Sequence, residues 1–293
     1  MAKKISIAID GPAGAGKSTI ARRLAAELGY HYVDTGAIYR TVAYFFDLWG
    51  VSPKDIDGIT RYIDELTIRI EYDAEGVQHM IMNGMDVTKD IRTQEISQKA
   101  SIISAHAIVR DMLLDMQREV AEQHDVIMDG RDIGSVVLPK ATVKFFLTAS
   151  PEVRARRRTK ELLEKGQKAD YEKILKEIQQ RDFQDTHREV APLKMTRDSI
   201  KLDTSDMGID QVIAAMKETI AKKVAHCASG LLKALDSVSA SAGRLSWWSR
   251  PPGPGKRWLP SAPLSTTAMW WINLKKWASG LSMPRRRRCR GRR

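Results

Sequence analysis

A chain of 293 residues, 43% of them hydrophobic, is long enough for one or two domains and apolar enough to bury a core. It has no run of about 18 apolar residues, and the apolar stretch after Lys3 and Lys4 is short and alternates like a strand, so neither a membrane span nor a secretory leader is expected and the cytoplasm is the default compartment. The net charge of +12 is local: residues 226–293 hold 14 of the 48 basic residues and one acidic residue, Asp236, which leaves 34 basic against 35 acidic residues in 1–225.

Ile5 to Ile9 reads as a short buried strand, and Ile20 to Leu28 as a helix with Ile20, Leu24 and Leu28 on one face. Between them, Gly11-Pro12-Ala13-Gly14-Ala15-Gly16-Lys17-Ser18-Thr19 fits G-x-x-x-x-G-K-[ST] at every fixed position. Glycines in such a loop let successive N–H groups turn onto phosphate oxygens, and the helix dipole adds positive charge at the same point. Lys17 would reach the outer phosphates of a nucleoside triphosphate, and the Ser18 hydroxyl would ligate Mg²⁺. The motif leaves the acceptor of the phosphate open.

Tyr30 to Val33 reads as a second strand, ending at Asp34-Thr35-Gly36, and a helix follows from Ala37 to Leu48. Thr67 to Tyr72 alternates with period two, Ala74-Glu75-Gly76 makes a turn, Val77 to Asn83 returns and Gly84 turns again, which predicts a small antiparallel insert at about 66–90. One long helix is expected from Thr93 to about Gln123. Asp125 to Met128 is a third core strand with Asp129-Gly130-Arg131-Asp132 at its end, and Val143 to Thr148 a fourth. Pro151 opens a helix carrying Arg154, Arg156, Arg157 and Arg158, Gly166 interrupts, and Tyr171 to Thr186 is helical again. Ile200 to Asp203 is a fifth strand and Ile209 to Lys223 a last helix. Strands alternating with helices predict a doubly wound, five-stranded parallel α/β sheet, whose ligands sit beyond the carboxyl ends of the strands.

Arginines gather at that edge. Arg40 and Arg131 both follow strands, and Arg131 is flanked by Asp129 and Asp132. Arg181, Asp185 and Arg188 are spaced four and three apart, as either a solvated ion-pair face or a functional trio would have them. The arginines at 154–158 fit an exposed helix or a lid whose guanidinium groups close on phosphate. A switch GTPase is disfavoured, because Thr88-Lys89-Asp90 lacks the spacer of N-K-x-D.

Ile7 to Thr19, Asp34-Thr35-Gly36-Ala37-Ile38-Tyr39-Arg40, Asp129-Gly130-Arg131-Asp132-Ile133-Gly134, Arg181-Asp182 through Arg188 and Ala191-Pro192-Leu193 together resemble the bacterial cytidylate kinases, the (d)CMP branch of the nucleoside monophosphate kinases. The resemblance covers about 1–225, with an insert at about 66–90 and a helical lid at about 152–170. It implies a kinase that phosphorylates CMP and dCMP from ATP with Mg²⁺, acting as a monomer. It implies that Gly11 to Thr19 hold ATP, and that Thr35, Arg40, Arg131 and Arg188 contact the acceptor phosphate. Ser101, Arg110 and Asp132 would read cytosine, Arg181 and Asp185 would contact the sugar, and Tyr39 would join the acceptor site. Lys17, Arg131, Arg157 and Arg158 would serve catalysis. An ionised Asp132 can accept from the cytosine amino group, where uracil would present a carbonyl oxygen.

Residues 226–293 hold both cysteines, Cys227 and Cys289, six of the seven tryptophans and the block Arg285 to Arg288, and do not read as a domain. The expectation is a disordered tail; tryptophans among cations would alternatively suit a nucleic-acid-binding appendage.

Overall fold

The computed structural model describes residues 4–164 and 166–242, with side chains to Ala225. The body, Lys3–Ile220, is one compact unit. Its sheet has five parallel strands: β1 (Ser6–Asp10), β2 (His31–Asp34), β6 (Val126–Gly130), β7 (Val143–Thr148) and β8 (Ile200–Asp203), in the spatial order β2-β6-β1-β7-β8. β1 lies at the centre, with Ile9 opposite Asp129 on one side and Phe145 on the other. Ile7, Ala8, Ile9, Val126, Ile127 and Met128 are fully buried, as strands covered on both faces must be. This is the doubly wound architecture the sequence predicts, and it brings the ends of β1, β2 and β6 to one edge.

α1 (Lys17–Leu28) and α2 (Thr35–Leu48) each start directly beyond a strand end. Asp34 caps α2 by accepting from the Ala37 N–H at 2.9 Å. The insert is a three-stranded antiparallel sheet, β3 (Ile68–Tyr72), β4 (Gln78–Met82) and the short β5 (Met85–Asp86), one strand more than the predicted hairpin. Its β4–β5 turn places Asn83 at φ 47° and Gly84 at φ 85°, the positive-φ pair that a tight hairpin turn requires. Beneath it, α2 packs Phe45 and Phe46 into a core shared with Met80 and Met82 of β4 and Ile96 and Ile103 of the next helix.

Three elements differ from the sequence reading. Residues 56–62 form α3, a helix it does not contain, capped by Asp55 accepting from Gly58 N–H at 3.0 Å. The expected long helix is two, α4 (Gln94–Ile103) and α5 (Ala107–Gln123). No glycine or proline marks the break; side-chain bonds, one local and one distant, stabilise it. Arg110 donates to the Ser104 carbonyl at 3.0 Å, and the His106 ring bonds to the Pro53 carbonyl at 2.8 Å. The last helix, α8, runs Ile209–Ala242 and passes the predicted end at Lys223, through a stretch rich in alanine and leucine. It follows the hairpin of α6 (Pro151–Glu164) and α7 (Tyr171–His187) and the edge strand β8. Within 226–242 the expected disorder is therefore replaced by helix, while the tryptophan- and arginine-rich remainder, 243–293, lies outside the described residues. Among the described residues no helix is long and apolar enough to cross a membrane.

Candidate functional site

One cleft of about 690 Å³ opens along the carboxyl edge of the sheet. It is lined from the glycine loop through Thr35, Tyr39, Arg40, Ser101, Arg110, Arg131, Asp132, Arg157, Arg158, Arg181, Asp185 and Arg188. Residues as far apart in sequence as Ala13 and Val212 thus share one cavity.

The glycine loop is shaped by its backbone. Gly11 has φ 146°, and a Cβ there would sit 1.9 Å from the Leu147 carbonyl oxygen. Gly16, at φ 84°, caps α1 in a left-handed conformation, and the residues of the first turn, whose N–H groups lack intrahelical partners as in any helix, border the cleft. Lys17 is buried and folds back, donating to the Pro12 carbonyl at 2.7 Å. Burial, reinforced by the Arg131 charge, pushes its ammonium down to about 7. Ser18 Oγ donates to Asp129 Oδ2 at 2.8 Å, Tyr32 OH donates to Asp129 Oδ1 at 2.9 Å, and Thr35 Oγ1 donates to the Asp129 carbonyl at 2.7 Å. Burial, with Asp34 nearby, raises the Asp129 carboxyl above its usual range.

The other half of the cleft is a lattice of guanidinium and carboxylate groups. Arg110 is 7% exposed; it pairs with Asp132 through Nη2 and lies 5.4 Å over the Tyr39 ring. Arg188 Nη2 stands 3.6 Å from Asp132, and its Nε donates to the Ala191 carbonyl at 2.7 Å. Arg131 Nε donates to Asp185 Oδ2 at 2.7 Å; burial opposes ionisation of Asp185, but Arg131 and Arg181 hold its carboxyl below the usual range. Arg40 donates to Asp34 at 3.0 Å. Cations nonetheless outnumber their partners here. Arg40 Nε, Arg181 Nε and Arg188 Nη2 are buried without hydrogen bonds, and burial, with Arg131 beside it, pushes Arg181 down to about 10. Buried donors are nearly always paired in folded proteins, so this cluster is built for an anion that brings several acceptor oxygens.

The arginine helix is divided in role. Arg154 is 3% exposed and donates to the Ala149 carbonyl at 2.8 Å, to the Ala13 carbonyl of the glycine loop at 3.0 Å and to both carboxylate oxygens of Asp182. Arg157 donates to Thr204 Oγ1 at 3.2 Å and its carbonyl at 2.5 Å, and Arg158 pairs with Glu161 at 2.9 Å. Both line the cleft, while Arg156 does not. Arg188 is the residue just past the end of α7, so it shares the site with Arg181 and Asp185 without continuing their helical turn.

Asp10 and Tyr32 escaped the sequence reading as site-forming residues, and Asp34, which it placed at a strand end, was given no role there. Asp10 is 4% exposed and accepts from Ile133 N–H at 2.8 Å and Gly134 N–H at 2.7 Å, which fixes the segment carrying Asp132. Burial raises its carboxyl to about 6, against the pull of those two N–H groups. The signal available was position: Asp10 and Asp34 each end a strand at the edge where ligands bind.

Residues 7–222 match the family model described as cytidylate kinase. The chain is 47% identical over 217 residues to the cytidylate kinase of Carboxydothermus hydrogenoformans, covering 74% of this chain and 97% of that protein. It is 47% identical over 219 residues to the one from Lactobacillus johnsonii, covering 75% and 95%, and 42% identical over 217 residues to the one from Clostridium tetani, covering 74% and 94%.

Proposed function

Because this chain belongs to the cytidylate kinase family, we propose that it transfers the γ-phosphoryl group of ATP to the phosphate of CMP or dCMP, giving ADP with CDP or dCDP. The observation that carries this reading is the presence, in one cleft, of the glycine loop opening α1 and of buried guanidinium nitrogens without hydrogen-bond partners on Arg40, Arg181 and Arg188. An unpaired buried donor costs about 1–3 kcal/mol. A monophosphate with its oxygens among these arginines relieves that cost and the mutual repulsion of the cations.

The chemistry follows from the charges. An oxygen of the acceptor phosphate forms a bond to the γ-phosphorus, the bond from that phosphorus to the β–γ bridging oxygen breaks, and ADP leaves with the electron pair. The attacking oxygen is already anionic, so no general base is required. The barrier is the approach of two anionic phosphates and the spread of charge over the transferring group. Main-chain N–H groups from Gly14 to Thr19 take the donor phosphates, and Lys17 exchanges the Pro12 carbonyl for them. Arg131, Arg157 and Arg158 supply charge at the junction of the two nucleotides. Ser18 Oγ and the Asp129 carboxylate, 2.8 Å apart, are hard oxygen donors of the kind that suit Mg²⁺, which is commonly held by one or two protein oxygens together with phosphates. An ion held by these two oxygens would supply positive charge to the donor phosphates.

Acceptor choice rests on Arg110 and Asp132. Asp132 accepts from the cytosine amino group, Arg110 donates to the ring, Ser101 and Tyr39 complete the wall, and Arg181 with Asp185 faces the sugar. Thr35 and Arg188 join Arg40 at the phosphate. We further propose a monomeric enzyme of the cytoplasm. Coupled measurement of ADP release with CMP, dCMP, UMP and AMP tests the reading. Stimulation by CMP and dCMP well above UMP and AMP is expected; no stimulation by any monophosphate refutes it.

A further inference from the structure

The antiparallel insert is tied to the main sheet by side chains that bond the outer edge of β2. β2 is the terminal strand, and its residues 32 and 34, two apart, turn main-chain groups to the same side. Tyr72 OH donates to the Tyr32 carbonyl at 3.0 Å. Gln78, only 6% exposed, accepts from the Asp34 N–H through Oε1 at 2.7 Å, while its Nε2 lies 3.4 Å from the Asp34 carbonyl and 3.1 Å from Met80 Sδ. Its amide therefore fills a slot that a further strand would otherwise occupy.

The two ties meet different targets. Tyr32 is mid-strand. Asp34 is the hinge of the acceptor half of the cleft: one carboxylate oxygen caps α2 and the other holds Arg40, whose Nε is buried and unpaired. The next residue, Thr35, bonds the Asp129 carbonyl at 2.7 Å. A rotation of the Asp34 peptide would swing the carboxylate and carry Arg40 with it. Gly36 leaves room for both groups, since a Cβ there would meet Arg40 Nη1 at 3.0 Å and Asp34 Oδ1 at 3.1 Å.

We propose that Gln78 is a positioning residue for the acceptor phosphate: it fixes the Asp34 peptide and, through the Asp34 carboxylate, the guanidinium of Arg40. Gln78 touches no reacting atom. Its action makes the insert part of the acceptor site's alignment as well as a cover over the core. This inference rests on the acceptor phosphate binding at Arg40, as proposed above.

The test compares full-length wild type, Gln78→Met and Tyr72→Phe by steady-state kinetics with CMP and ATP varied in turn. Methionine matches the length of glutamine and removes both bonds to Asp34. The expected result for Gln78→Met is a rise of about tenfold in KM for CMP with KM for ATP within twofold. Tyr72→Phe, which loosens the insert at Tyr32 alone, should leave both KM values within twofold. Arg40→Met and the double variant close a cycle: if Gln78 acts through Arg40, adding Gln78→Met to Arg40→Met changes KM for CMP by less than twofold. Multiplicative effects, an unchanged KM, or equal rises in both KM values overturn the proposal. Should Gln78→Met not fold, Gln78→Leu, which also removes both bonds to Asp34, is read in its place, with the same selective rise expected. If wild type shows no CMP-stimulated ADP release, the functional reading fails instead, which separates the two.

Discussion

Replacing Arg154 by methionine removes the guanidinium that joins α6 to the glycine loop and keeps most of its volume. Four hydrogen bonds go: to the Ala149 and Ala13 carbonyls and to both oxygens of Asp182. Arg154 is 3% exposed on its side chain, whereas Asp182 is 23% exposed. Breaking a buried ion pair from one side costs about 3–5 kcal/mol, and because water reaches Asp182 the lower end applies, about 3 kcal/mol. For a body of this size each kcal/mol moves the melting midpoint by about 2–4 °C, so a fall of about 6–12 °C is expected by circular dichroism. The loss also frees the Ala13 carbonyl, so KM for ATP should rise about three- to tenfold while KM for CMP changes little. Arg158→Met is the control on the same helix. Its side chain is 41% exposed and its pair with Glu161 sits at the surface, worth less than about 1 kcal/mol. A melting midpoint for Arg154→Met within 2 °C of wild type, or a larger fall for Arg158→Met, would refute the assignment of Arg154 as the clamp of the loop.

Asp132→Asn replaces an acceptor-only carboxylate by a group that also donates, so kcat/KM for CMP should fall about 10²–10³-fold and discrimination against UMP should shrink, read by the same coupled assay. Lys17, pushed down to about 7 by burial and Arg131, is largely neutral above that pH in the free protein and should recover its proton when polyphosphate arrives; calorimetry of ATP binding at pH 8 in buffers of different ionisation enthalpy should show proton uptake, lost in Lys17→Met. The Asp10 carboxyl, raised to about 6 from 3.8, binds its proton more tightly in the folded chain. Its contribution of about 3 kcal/mol is therefore present below pH 3.8 and lost as pH rises to 6. Denaturant melts of wild type and Asp10→Asn across pH 4–7 should differ by that drift, and parallel profiles would refute it.

The parallel sheet was legible because its strands are short apolar runs, Ile7 to Ile9 and Val126 to Met128 among them, that only burial on both faces accommodates. The glycine loop was legible because its chemistry is local: neighbouring residues supply the N–H groups, the lysine and the hydroxyl. Other elements were hidden because their causes are distant. The break between α4 and α5 has no stop signal at Ser104 to His106; Arg110 takes the Ser104 carbonyl there, and the His106 ring reaches the carbonyl of Pro53, 53 positions away.

The site divides the same way. Their place after strands marked Arg40 and Arg131 as candidates, whereas Arg181 and Arg188, which could equally form a solvated ion-pair face, gained a site role only from the family resemblance. Which arginine stands free and which is already engaged was decided only by folding. Arg154 and Arg158 lie on one helix, four apart, and both border the cleft, yet one is sealed against Ala13 and Asp182 while the other is 41% exposed and pairs with Glu161 on its own helix. The physical reason is that a long cation takes its role from what surrounds its head group. Those surroundings come from strands β1, β6 and β7 and helix α7, brought together by a sheet whose order is not the order of the chain.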